Sequence, residues 1–126
     1  MIGTFVEVAR ALSDYWNSFG IPAYPEETVP DDATLPYITY ALLKPNWRGA
    51  AIYNVRVWYK DTSFIGIMNT VDEIASDIGE GKRIIKDNVI IYLFKEDNFF
   101  QMQPLPESEE EFKVAYLTMS IQVLSK

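Results

Sequence analysis

The chain contains no histidine and no cysteine. Without cysteine there is no disulfide, no thiolate nucleophile and no metal site built on sulfur. Without histidine it lacks the side chain that most often serves as general base near neutral pH, which is also the commonest transition-metal ligand. Ser-His-Asp and Cys-His catalysis are therefore excluded. What remains open to chemistry is a carboxylate pair, or a hard cation held by oxygens. Also missing is any apolar run close to the ~20 residues that span a bilayer. The opening MIGTFVEVARALSDYW carries Glu7 and Asp14 inside its apolar stretch and no early base, unlike a signal peptide. Positive charge is scarce: 11 Lys and Arg against 18 Asp and Glu leave a net charge of −7, which disfavours binding to nucleic-acid phosphates. The expected compartment is the cytoplasm of the cell that makes the protein.

What is present suits one compact domain over residues 1–126, a common single-domain length. Hydrophobic residues make up 48% of the chain, with eight Tyr, seven Phe and three Trp, far from a disordered composition. Aromatics in this number fill a core or cover a partner-facing surface, and composition alone weighs the two equally.

Periodicity predicts a helix over 4–19, with Phe5, Val8, Ala9, Leu12, Tyr15, Trp16 and Phe19 on one stripe. Thr4 and Glu7 read as a capping box, Arg10 and Asp14 as a pair across one turn, and Gly20 as the terminating residue. A short edge strand over 21–24 precedes PEETVPDDATLP at 25–36, an exposed acidic loop. Strands over 37–44 and 50–60 flank a PNWRG turn and form a hairpin. In the second of them Tyr53, Val55, Val57 and Tyr59 share one face, and Asn54, Arg56, Trp58 and Lys60 the other. Phe64, Ile67, Met68, Val71, Ile74, Ala75 and Ile78 form a second helical stripe ended by Gly79. Strands over 83–85 and 89–95 follow, the latter apolar on both parities and so expected to be covered on both faces. Residues 112–124 alternate as a closing strand, with Leu117, Met119 and Ile121 to one side and Tyr116, Thr118 and Ser120 to the other. The expectation is an α+β fold in the order α-β-β-β-α-β-β-β, both helices packed on one face of a mostly antiparallel sheet.

Few residues suggest chemistry. Gly79-Glu80-Gly81 lacks the spacing of a phosphate loop and reads as a turn. Asp31-Asp32 and the acids of 107–111 lack the interleaved ligands of a calcium loop and read as solvated. No catalytic residue, metal site or cofactor is expected. The stronger signal is Trp47 and Arg48 at the hairpin turn, the pair most enriched in interface hot spots, although Trp47 could equally fold back over its own hairpin. Arg56, Trp58 and Lys60 continue a cationic and aromatic row along the outward strand face. Set against acidic loops elsewhere in the chain, they offer the complementary patches that head-to-tail association requires.

A helix ending in Gly20, then "PAYPEETVP", "LPYITYAL", a hairpin strand closing in "VRVWYKD", a second helix and a closing strand "VAYLTMSIQV" form a familiar order. In it the chain resembles the small tail completion or tail terminator proteins of long-tailed bacteriophages, which sit at the head–tail junction. The resemblance implies a structural subunit without enzymatic activity. Such a subunit forms a ring, typically a hexamer, that caps the tail tube and joins it to the head connector. It belongs to the virion tail, and to the bacterial cytoplasm during assembly. Its implied partners are other copies of itself, the tail tube and the connector, with no membrane and no specific nucleic-acid binding. Two alternatives are another phage neck or connector protein, and a small cofactor-free enzyme or ligand-binding domain.

Overall fold

The computed structural model describes residues 4–41, 49–102 and 111–125. Helix α1 (Phe5–Trp16) runs into a 3₁₀ turn (Asn17–Phe19) and is followed by strands β1 (Ala23–Pro25), β2 (Tyr37–Tyr40) and β3 (Ala51–Lys60). Helix α2 (Ile65–Ile78) and strands β4 (Lys82–Lys86), β5 (Val89–Met102) and β6 (Phe112–Ser125) complete the chain order. The six strands form one sheet in the order β1-β2-β3-β6-β5-β4. β1 and β2 run parallel and every other neighbouring pair antiparallel, so the sheet is mixed. The fold is thus α+β with two helices, as expected. It departs in detail from the expected order through the 3₁₀ turn after α1 and the parallel pair at the β1 edge.

Alternation decides which face of each strand is buried. Tyr53, Val55 and Val57 of β3, Leu117, Met119 and Ile121 of β6, and Val89, Ile91 and Leu93 of β5 form the inner face and lie in the core. β6 is central, flanked along its length by β3 and β5. Residues 96–99 of β5 stand against Thr118 alone, a bulge that bends the strand.

Helix α1 contributes Val8, Ala11, Leu12, Tyr15 and Trp16 to the core. Trp16, fully buried, donates its indole Nε1–H to the Tyr53 hydroxyl at 3.2 Å. α2 buries Ile67, Val71, Ile74 and Ile78, and its Thr70 hydroxyl bonds the Tyr59 hydroxyl at 2.7 Å. The helices also meet each other: Tyr15 donates its hydroxyl hydrogen to Asp77 at 2.7 Å.

Four expectations need correction. The Thr4 hydroxyl does accept from the Glu7 backbone N–H, but the Glu7 carboxylate does not return to Thr4. It accepts instead from the backbone and side-chain N–H of Asn88 in the β4–β5 turn, tying the helix start to a distant hairpin. Asp14 is taken by Lys86 of β4 at 2.6 Å rather than by Arg10, because packing brings β4 alongside the helix. Phe5 lies on the predicted stripe but stays 57% exposed at the first residue of the helix. Finally, 89–94 is not covered on both faces: Val89, Ile91 and Leu93 are buried, while Phe94 is 40% exposed and stacks on Tyr92. A run apolar on both parities here marks an outward face that carries exposed apolar side chains, not a second covering layer.

Candidate subunit interface

The outward face of β3 holds three of the five residues singled out from the sequence. Arg56 and Trp58 are half-buried there and Lys60 is exposed. Trp47 and Arg48 lie outside the described residues.

Pairing of β3 with its neighbours sets the surroundings. Tyr37 stands opposite Trp58 and Thr39 opposite Arg56 on β2, while Tyr116 faces Arg56 and Phe112 faces Lys60 on β6. Trp58 donates its Nε1–H to the Thr39 hydroxyl at 2.9 Å, which ties the indole to the neighbouring strand. Tyr37 packs 6.3 Å from Trp58 and 5.8 Å from Tyr24 of β1, giving an aromatic row across three strands. The Arg56 guanidinium sits 4.7 Å from the centre of the Tyr116 ring, and the Lys60 ammonium 5.4 Å from that of Phe112. Contacts of this kind hold a cation in place without cancelling its charge. The Nε–H of Arg56 is buried with no acceptor among the described residues.

Outside the β5 bulge, the charged residues at outward strand positions are Arg56, Lys60 and Arg83, all cationic. The remaining outward positions include exposed Ile52, Ile85 and Phe94. The cross-strand partners Tyr24, Tyr37 and Phe112 were not singled out from the sequence. Only the register joins them to Arg56, Trp58 and Lys60, and register depends on pairing distant segments.

Elsewhere the described residues form clefts without a reactive constellation. A cleft of about 340 Å³ between α1 and β4 is lined by Asp14, Tyr15, Lys82 and Lys86, among others. Its Asp14 is already paired with Lys86 at 2.6 Å, a contact that pushes the lysine pKa upward. Asp72, Glu73, Ser76 and Asp77 line a recess of about 500 Å³ on the exposed side of α2. Among the described residues no group of three or more acidic side chains is placed to hold a metal ion. No described helix is long and apolar enough to cross a membrane. No protein-family model, curated protein or solved structure matches the chain.

Proposed function

We propose that the chain is a structural subunit of the ring that terminates or completes a bacteriophage tail at the head–tail junction, and that it is not an enzyme. The observation that carries this reading is the outward face of β3, where Arg56 and Lys60 rest on aromatic rings beside Trp58 and the Tyr24–Tyr37 row. A surface of this make-up suits a protein partner, and the absence of histidine and cysteine leaves little for catalysis. The resemblance in element order supplies the particular assembly.

In this reading both helices share the inner face of the sheet. Trp16 of α1 reaches Tyr53 and Thr70 of α2 reaches Tyr59, two residues of like parity on β3, which supports the arrangement. The outward face is then left for neighbouring subunits, the tail tube or the head connector. No cofactor is required, and the subunit works in the virion tail after assembly in the bacterial cytoplasm.

Trp47 and Arg48, which lie outside the described residues, are proposed to take part in the contact, and truncating them tests the reading. A buried hot-spot Trp or Arg commonly contributes about 2 kcal/mol or more to binding, roughly thirtyfold in affinity. The same residues on a free surface contribute within about half a kcal/mol to folding. The double change Trp47→Ala and Arg48→Ala should leave the melting temperature nearly intact and abolish ring formation or tail capping. Normal assembly of the variant on tails would move the contact elsewhere. Unfolding would assign Trp47 to the core.

A further inference from the structure

We infer that the outward sheet face of one subunit receives the exposed side of α2 of a second copy, in a head-to-tail contact. The inference rests on the ring-subunit reading and deepens it by naming both halves of the contact.

The sheet half is cationic and apolar. Outside the β5 bulge, which carries Glu96 and Asp97, its charged strand residues are Arg56, Lys60 and Arg83, and Ile52 and Phe94 on the same face are 57% and 40% exposed. Pairing two such faces about a two-fold axis would set cation against cation, which opposes association. The occupant must therefore be acidic, and it must bring apolar area of its own.

The exposed side of α2 meets both conditions. Asp72, Glu73 and Asp77 border its recess, and Phe64 and Ile65 at the helix start are 52% and 71% exposed. Asp77 is shared with Lys82 at 3.3 Å, which leaves Asp72 and Glu73 as the principal charges. α2 packs on the inner face through Thr70 and Tyr59, so its exposed side points away from the outward sheet face of the same molecule. Two complementary surfaces on opposite sides of one subunit cannot satisfy each other within that subunit. Between copies they form a heterologous contact, which closes into a ring when the rotation per subunit permits. A chain with a net charge of −7 also has acid to spare for such pairing.

Two charge-reversal variants test this. One carries Arg56→Glu and Lys60→Glu, making both surfaces acidic; the other carries Asp72→Lys and Glu73→Lys, making both basic. Sedimentation of each alone should show monomer at concentrations where the wild type assembles, a weakening of about a hundredfold or more. An equimolar mixture should recover assembly, because each reversed surface then meets its complement. Recovery also establishes that neither variant is merely misfolded. If both variants assemble like the wild type, or the mixture stays monomeric while both keep native circular dichroism, the contact is wrong although the ring reading stands. A wild type that is itself monomeric at all concentrations sinks the ring reading before the contact is in question. Tight binding of a single-stranded oligothymidine by the wild type, lost on reversing Arg56 and Lys60, would make the face a nucleic-acid platform and overturn the proposal.

Discussion

Buried tyrosines join the helices to the sheet and to each other. Tyr53 lies beneath Trp16 and accepts its indole hydrogen; Tyr15 joins α1 to Asp77 of α2. Burial raises the pKa of both phenols, and for Tyr15 the neighbouring carboxylate adds to the effect. Tyr40 is raised as well, again chiefly by burial. A phenol in the unfolded chain titrates near ~10. Because the folded values lie higher, the stability these groups contribute is intact below that pH and is lost as pH rises beyond it. Urea unfolding should therefore show stability falling steeply above about pH 10. The Tyr15→Phe and Tyr53→Phe double variant should flatten that fall. It should also be less stable at neutral pH, by about 1–3 kcal/mol for the buried Trp16 indole left unbonded, whereas Asp77 keeps Lys82 and solvent. An unchanged alkaline slope in the double variant would mean that other groups govern it.

Among the elements, those that were legible in the sequence are the ones whose side chains repeat with a clear period. Most of the α2 stripe and the alternation of β3 and β6 are borne out, with Val55, Val57, Leu117, Met119, Ile67, Val71, Ile74 and Ile78 all buried, but Phe64, placed on the α2 stripe, precedes the helix and is 52% exposed. Tertiary contacts were not legible. Glu7 had a local partner in the sequence and took a distant one in Asn88; Asp14 likewise took Lys86. Short-range pairing competes with whatever the fold brings near, and the sequence shows only the first. Of the candidate interface, the parity of Arg56, Trp58 and Lys60 could be read, but not the aromatic partners that hold them.

At two glycines an added side chain would meet an aromatic ring of another element. A Cβ on Gly66 would stand 2.9 Å from Cε2 of Tyr59, and one on Gly81 would stand 2.8 Å from Cε1 of Phe94. Tyr59 is fixed by its hydroxyl bond to Thr70, whereas Phe94 is 40% exposed and has room to turn. Gly66→Ala should therefore cost about 1–3 kcal/mol of stability, as overpacking does, and Gly81→Ala clearly less. Chemical denaturation of the two variants side by side checks this. Equal losses would mean that Tyr59 yields as readily as Phe94.

On the scale of the whole molecule, charge is distributed unevenly. The charged outward strand residues outside the β5 bulge are cationic, while Asp72, Glu73 and Asp77 lie on the exposed side of α2, and Glu26, Glu27, Asp31 and Asp32 are exposed between β1 and β2. Such polarity favours association of unlike surfaces over like ones, and ordered head-to-tail growth over two-fold pairing. The most direct test of the subunit reading is the mass of the wild-type assembly, measured by sedimentation over a wide range of protein concentration. The account predicts a closed ring of fixed size that does not lengthen as concentration rises. A monomer at every concentration, or a polymer that grows without limit, would contradict it.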